Sequence, residues 1–322
     1  MTRSVLLTGG LGYVGGRVAK GLIQDPGFDI TVTSRNPDTT ELPEWLSRDH
    51  CVRLDVLNED DCKNACKNTD VVIHFAALNE IDSALDPEKA LLINTLGTLK
   101  LVKAAETAGV KRFIYFSTAH VYRSPLEGSI SETTLPRPVH PYAITHRAAE
   151  DYVLAANHQK KMQGIVLRLS NSIGAPINSK VNRWSLAGND LCRQAITTRE
   201  MRLKTSGLQK RDFITLHDVA RAVSHVIRLP TSSMKNGIFN LGGENVLSIY
   251  DLTIRIQKRC AEIFDFTPSI IRTEPQPSEA SGSLSYSIKR LKSTGFVLTG
   301  NIDNEIDETL RFCQENYRRA ET

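Results

Sequence analysis

The chain has 322 residues, 40% hydrophobic and 24% charged, with a formal net charge of +4, which excludes wholesale disorder and fits one large domain or two fused ones. The excess of 40 basic over 36 acidic residues is too small for a dedicated nucleic-acid binder, which carries a concentrated basic stripe. No apolar run reaches the roughly 18 residues of a membrane span and no signal-peptide pattern opens the chain, so a cytoplasmic protein without a membrane partner is expected.

Val5-Leu6-Leu7 is an apolar run that ends at glycine and predicts a buried parallel strand. Residues 12–24 carry helical patterning, with Val14, Val18, Leu22 and Ile23 on one side. The β-branched run DITVTS at 29–34 predicts a second strand, residues 52–56 a third and VVIHF at 71–75 a fourth. A long helix is expected over 84–108, closed by Gly109. RFIYFS at 112–117 reads as the fifth strand, 142–162 as a helix and GIVLRL at 164–169 as the sixth strand. This alternation predicts a doubly wound α/β fold with a parallel sheet and right-handed crossovers.

Beyond about residue 170 the rhythm changes. Pro, Asn and Gly punctuate 171–189, followed by a helix at 186–199 and strand pieces at 202–206 and 211–214. A helix starts at His217, a strand-like run covers 237–241, and helices are expected at 249–263 and 302–318. The polar stretch TEPQPSEASGS at 273–283 predicts a mobile loop. The resulting division is a dinucleotide-binding unit over 1–170, to which 213–243 returns, and a small discontinuous C-terminal substrate-binding cap over 171–212 and 244–322. Cys51, Cys62, Cys66, Cys192, Cys260 and Cys313 are expected to be reduced, buried thiols. The spacing of Cys62 and Cys66 is not that of a structural zinc site, and no metal is expected.

Thr8-Gly9-Gly10-Leu11-Gly12-Tyr13-Val14-Gly15 follows the first strand and opens the first helix. Gly9 permits a tight turn, Gly12 a close backbone approach to a pyrophosphate and Gly15 close packing of helix on strand; the helix N-terminus then faces the phosphates. At the end of the second strand, an acid would hold a ribose 2′-hydroxyl and a nearby Arg would accept a 2′-phosphate. Ser34, Arg35 and Asn36 stand there. A guanidinium suits a phosphate through its planar fork, so NADP(H) is favoured over NAD(H).

Further segments carry a specific resemblance. TGGLGYVGG, Asp55-Val56, His74-Phe75-Ala76-Ala77, Asn94-Thr95-Leu96-Gly97-Thr98, Phe116-Ser117-Thr118-Ala119-His120-Val121-Tyr122, Pro141-Tyr142-Ala143, Arg168-Leu169-Ser170-Asn171, Arg211-Asp212-Phe213-Ile214 with His217-Asp218-Val219-Ala220, and Phe239-Asn240-Leu241-Gly242-Gly243 occur in this order over residues 4–243. Together they resemble the extended short-chain dehydrogenase/reductase family, in particular its NAD(P)-dependent nucleotide-sugar epimerases, dehydratases and reductases. The resemblance implies a Rossmann-type fold and a homodimer through helices in 84–108 and 142–162. It implies that Tyr142 gives or takes the hydroxyl proton at a sugar carbon while Thr118, with Ser117 as a neighbouring candidate, polarises the same oxygen. Tyr13, Val14, Asp55, Val56, Phe75, Ala76, Ala77 and Asn94 are implied to touch the cofactor, and His120, Asn171, Arg183 and Arg211 the substrate. Arg suits a diphosphate through bidentate bonds, and Trp184 fits core packing better than base stacking. His140 and His217 are expected to be structural.

Two departures from the family pattern bear on the chemistry. Tyr142-Ala143-Ile144-Thr145-His146 has His where the family has Lys, one turn from Tyr142 on the same helix face. Three readings stay open: His146 replaces the Lys, it holds the cofactor while another base takes over, or the chain binds dinucleotide without turnover. A His is mostly neutral at pH 7 and helps a tyrosinate less than a fixed cation does. Secondly, the family's 4,6-dehydratases have an Asp-Glu pair after the Thr, where this chain has Ala119-His120. That favours epimerase or ketoreductase chemistry. The alternatives are a dinucleotide-binding regulator with little turnover and a reductase of a non-nucleotide ketone.

Overall fold

In the computed structural model, which describes residues 2–276, 279 and 282–317, the short apolar runs of the first half become strands and the stretches between them helices. They follow as β1 (Arg3–Thr8), α1 (Tyr13–Leu22), β2 (Phe28–Ser34), β3 (Cys51–Arg53), α2 (Glu59–Ala65), β4 (Val71–His74), α3 (Glu80–Leu85), α4 (Pro87–Ala90), a π-helical stretch (Leu91–Gly97) and α5 (Thr98–Ala108). Next come β5 (Arg112–Thr118), β6 (Gly128–Ile130), α6 (Pro141–His158), β7 (Gln163–Leu169), β8 (Asn171–Ile173), α7 (Ala187–Thr197), β9 (Glu200–Arg202), β10 (Lys210–Thr215) and α8 (Leu216–Arg228). The chain closes with β11 (Ile238–Leu241), β12 (Asn245–Ser248), α9 (Ile249–Phe264), β13 (Ser269–Ile271), β14 (Leu284–Tyr286), α10 (Lys289–Lys292) and α11 (Ile302–Tyr317).

Seven strands form one sheet in the order β3-β2-β1-β4-β5-β7-β11, every neighbouring pair parallel. This is the doubly wound, Rossmann-like arrangement expected from the alternation. Side chains alternate across a strand, and the two faces collect different cores. Leu6, Val72, Phe113, Tyr115 and Val166 pack with α5 and α6 on one side. Val5, Leu7, Ile73, Ile114 and Leu167 pack with α1 and α8 on the other. The strand order reverses between β1 and β4, and ligands of such sheets bind at the carboxyl ends of the strands beside that point.

A smaller sheet, β12-β10-β8, pairs β10 antiparallel with β12 and parallel with β8, and a third core gathers α7, α9 and α11. Helix α1 touches this part directly. Its Tyr13 hydroxyl donates to the Gly174 carbonyl (3.0 Å) and to Asn189 Oδ1 (3.2 Å). Arg17 donates to the Ala175 carbonyl and pairs with Glu305 at 3.1 Å. A Cβ added to Gly16 would press on Ile177 at 2.6 Å. Within the larger unit, Arg168 and Glu150 form a bidentate pair at 2.9 and 2.7 Å, 1% and 0% exposed.

The helix expected over 84–108 is interrupted. Asp86 has φ −138° and ψ 82°, off the helical region, because a residue before proline is driven from it; Pro87 then opens a new helix. The chain passes into a π-helical stretch before α5 begins at Thr98. The third strand ends at Arg53 rather than at 56. The piece expected at 202–206 is instead β9, which ends at Arg202 and pairs with β13. Of the stretch 273–283, Pro277, Ser278, Ala280 and Ser281 lie outside the described residues. All six cysteines are free and buried. No helix among the described residues is long and apolar enough to cross a membrane.

Candidate active site

The loop after β1 is shaped by its glycines. Gly9 has φ +68°, a left-handed conformation open to glycine, and a Cβ there would stand 2.9 Å from the Ala76 nitrogen. A Cβ at Gly15 would overlap the Gly9 carbonyl. Gly12 is the N-cap of α1, and no side chain caps that helix. Its first N–H groups therefore carry no side-chain cap, an arrangement suited to an anion.

The adjoining strand end is held by a buried polar network. The Ala76 N–H donates to Thr8 Oγ1 (3.2 Å), which meets His74 Nδ1 at 2.5 Å. On the other side of the ring, His74 Nε2 meets Thr98 Oγ1 at 3.0 Å, and that hydroxyl donates to the Asn94 carbonyl (2.6 Å). Asn94, fully buried, accepts from the Leu78 N–H (2.7 Å) and donates to Thr145 Oγ1 (3.0 Å). Asn94 thus supports the 75–79 segment and α6 from beneath.

Helix α6 starts at Pro141, and His140 caps it by accepting from the Ala143 N–H (3.3 Å). One turn apart on that helix, the Tyr142 and His146 rings meet edge to face with centroids 4.4 Å apart. His146 is 3% exposed. Its Nδ1 lies 2.6 Å from the Tyr115 hydroxyl, and its Nε2 is buried without a partner. Burial, with the nearby His140, holds the His146 imidazole down to about 3, so the ring is neutral. Burial pushes the Tyr142 phenol up to about 12; Glu80 adds to the rise, while Arg183 and the Thr118 hydroxyl oppose it.

Two cavities meet at Tyr142. One, about 280 Å³, is lined by Gly9, Gly12, Tyr13, Val14, Gly15, Phe75, Ala76, Ala77, Ser117 and His146 among others. The second, about 350 Å³, is lined by Thr118, His120, Asn171, Arg183 and Arg211 among others. Tyr13, Val14, Ser117, Tyr142, Leu169 and Arg183 border both. Ser34, Arg35, Asn36, Asp55 and Val56 stand apart from both, at the ends of β2 and β3. His217 lines a different cleft of about 530 Å³ between α1, α8 and α11, where Arg17 is already paired with Glu305 and Glu308. Trp184 is buried against Phe312, Tyr317 and Arg193 and packs rather than binds.

Three side chains absent from the sequence reading join the site. Glu80 enters the second cavity, pairs with Arg183 at 3.1 Å and accepts from Ser185 at 3.4 Å. Burial pushes its carboxyl up, but the Arg183 charge, a backbone N–H and the bonds from Arg183 and Ser185 together hold it below the usual carboxylate range. No local signal marks it, because its partners are about a hundred residues away. Arg53 stands beside Ser34 in the pairing of β2 with β3. Tyr115 had a signal: the period of two along RFIYFS puts it on the same side as Phe113, toward α6. Burial, His120's neighbour His140 and Arg211 hold the His120 imidazole down to about 4, and its Nδ1 is also buried without a partner.

Residues 5–242 match the model of the NAD dependent epimerase/dehydratase family. The chain belongs to that family. Among members of the NAD dependent epimerase/dehydratase family, the dTDP-D-glucose 4,6-dehydratase of Mus musculus is 28% identical over 284 residues, 84% of this chain and 76% of that protein. The crystal structure of UDP-glucuronic acid 4-epimerase from Bacillus cereus, in complex with UDP-glucuronic acid and NAD, superposes with a TM-score of 0.80 at 21% identity, covering 98% of this chain and all of that one. The structure of RMD from Pseudomonas aeruginosa complexed with NADPH gives 0.76 at 22% identity, over 98% and 99% of the two chains.

Proposed function

We propose that this chain is an NAD(P)-dependent oxidoreductase or epimerase acting on a sugar carbon of a nucleotide-linked sugar. The observation that carries this reading is Tyr142, half-buried where the two cavities meet, with Ser117 and Thr118 on the same walls. The first cavity fits a nicotinamide dinucleotide on three features of the chain itself. Its glycine cradle has no room for a Cβ at Gly9 or Gly15, its helix N-terminus is uncapped, and His146 Nε2 and Ser117 Oγ are buried polar atoms without partners. Such a cofactor, when bound, supplies hydride acceptance and return.

In this reading Gly9, Gly12, Tyr13, Val14 and Gly15 receive the pyrophosphate, Asp55 and Val56 the adenine, and Phe75, Ala76 and Ala77 wall the ribose and nicotinamide side. Asn94 acts from beneath. His146 donates to a ribose hydroxyl, Tyr142 holds or moves the proton of the sugar hydroxyl, and Thr118 orients that hydroxyl. NADP(H) is favoured over NAD(H). The Ser34 hydroxyl is bonded to Thr40 Oγ1 at 2.6 Å, and Arg35 is exposed with no partner among the described residues, while Arg53, opposite Ser34 in the sheet, is paired with Asp61 at 3.2 Å. No carboxylate ends β2 to hold a free 2′-hydroxyl.

In the second cavity Arg183 and Arg211 take the diphosphate, and His120 and Asn171 the sugar hydroxyls. Ala119-His120 after Thr118 favours an epimerase or ketoreductase over a 4,6-dehydratase, because no carboxylate stands there to eliminate water. A homodimer is part of the same proposal. Leu85, Leu91, Leu92, Leu96 and Ile144 are exposed large apolar side chains on neighbouring helices, and contiguous exposed apolar surface marks an interaction site. The runner-up, a dinucleotide-binding protein with little turnover, is favoured by one observation: His146 is neutral, so no cation on its helix face draws the Tyr142 proton off.

The decisive experiment measures thermal shifts with NAD, NADP and a panel of nucleotide sugars, while following absorbance at the reduced-nicotinamide band. Stabilisation by NADP with an absorbance change for at least one sugar nucleotide, or with its conversion to an epimer resolved by chromatography, supports the proposal. Stabilisation by dinucleotide with neither an absorbance change nor an epimer from any sugar leaves the runner-up, since an epimerase returns its hydride and gives no net change at that band. No shift with either dinucleotide overturns both.

A further inference from the structure

Tyr115 reaches from the middle of β5, under the sheet's helical face, and places its hydroxyl 2.6 Å from His146 Nδ1. Both groups are buried, the phenol 2% and the imidazole 3% exposed. A neutral imidazole carries one N–H, and which nitrogen bears it decides what the ring offers a ligand: a donor or a bare acceptor. The surrounding hydrogen bonds fix the answer.

The chain of hydrogen bonds starts next door, at His74. Thr98 Oγ1 gives its proton to the Asn94 carbonyl at 2.6 Å. It therefore accepts from His74, whose Nε2 bears the hydrogen and whose Nδ1 accepts from Thr8. The Thr98 hydroxyl, the other hydroxyl near Tyr115, has thus given its proton away and cannot donate to the phenol, and the short contact of the Tyr115 hydroxyl is the one to His146 Nδ1, at 2.6 Å. Burial and the Glu150 charge keep the Tyr115 phenol protonated. Its proton goes to the acceptor at 2.6 Å, His146 Nδ1. The His146 hydrogen is left on Nε2, the nitrogen that is buried without a partner on a ring lining the cofactor cavity.

We propose that Tyr115 is a positioning residue that fixes His146 as the Nε2–H tautomer and so makes it a hydrogen-bond donor to the bound dinucleotide. The proposal rests on the reading that His146 holds the cofactor. Tyr115 touches neither cofactor nor substrate and acts only through the ring. Without its hydroxyl, Nδ1 loses the donor that keeps it bare, and the ring is free to turn or to carry its hydrogen on the wrong side.

The test has two readouts on the full chain. Two-bond 1H–15N correlation spectra of the 15N-labelled protein report the tautomer, with the His146 signals assigned by their loss in His146→Gln. The wild type is expected to show Nε2–H, and Tyr115→Phe a shift toward Nδ1–H or a mixture. Secondly, dissociation constants for NADP are measured in wild type, Tyr115→Phe, His146→Gln and the double variant. Tyr115→Phe is expected to weaken binding roughly five- to tenfold in the wild-type background, the scale of one hydrogen bond, and to have no effect in the His146→Gln background. Nδ1–H in the wild type, or an equal loss in both backgrounds, overturns the proposal. If wild type binds no dinucleotide, the functional reading fails while the spectrum still decides the role of Tyr115.

Discussion

Tyr142 and His146 share one helix turn, yet neither carries a charge: the phenol is held up to about 12 and the imidazole down to about 3. Placing a fixed cation beside the phenol stabilises its ionised form. His146→Lys is therefore expected to move the alkaline-rising limb of the pH–rate profile to lower pH and to retain or raise turnover at pH 8. Abolished turnover with cofactor still bound would show that the imidazole does something a Lys cannot. Stability gives a second expectation. His74 and His146 are both held to about 3 by burial, against about 6.5 in an unfolded chain. Above about 6.5 both states are neutral; as pH falls toward 3, the unfolded state takes up protons that the fold refuses. Each ring then removes about 2 kcal/mol of stability by pH 5. Melting curves at pH 7 and 5 should show a smaller acid loss for His146→Gln than for wild type. Position 146 was legible in the sequence because Tyr142 fixes its helix face. The state of its ring was not, since that depends on Tyr115, 31 residues away.

The π-helical stretch Leu91–Gly97 and α6 are tied together at the level of elements. Asn94 joins the Leu78 N–H to Thr145, and Thr95 Oγ1 donates to the Thr145 carbonyl at 3.0 Å. Asn94→Ala leaves the Leu78 N–H without its partner, which costs about 1–3 kcal/mol, whereas Thr145 Oγ1 loses one bond and keeps those to the Pro141 and Tyr142 carbonyls. The expected outcome is a lower melting temperature together with a raised KM for dinucleotide, since the 75–79 wall loses its support. An unchanged KM would confine Asn94 to folding. The strand–helix alternation, the glycine loop and the start of α6 could be read from period and punctuation, because each is set by local chemistry. The break at Asp86-Pro87 could have been read from the proline. The π stretch could not, because it follows from what Asn94 and Thr95 reach across the fold. The short β9 was misplaced for a similar reason: its register is set by β13, 69 residues later in the pairing of Ser269 with Glu200.

For the whole molecule, the exposed apolar face on the π stretch and α6 leads to a statement about assembly. Leu92 and Ile144 are 46% and 49% exposed. Replacing both by Glu places charges in the proposed subunit interface, where they would be desolvated. Sedimentation velocity is expected to show a dimer for wild type and a monomer for Leu92→Glu/Ile144→Glu; a wild-type monomer would remove the dimer from the proposal. The sequence located the two helices but not which residues they leave uncovered, since exposure depends on the packing of the other elements. Helix α1 has a wider consequence. It carries the phosphate loop at its front, while Tyr13, Gly16 and Arg17 along its side are built into Gly174, Asn189, Ile177 and Glu305. A helix shared in this way has no seam behind it. Residues 1–170 are not a cassette that can be excised or grafted onto another cap, because the cut would strip a buried phenol and a guanidinium of their partners in one stroke. Exchange of substrate specificity between relatives would have to proceed side chain by side chain within the cavity, with α1 and its sockets inherited together.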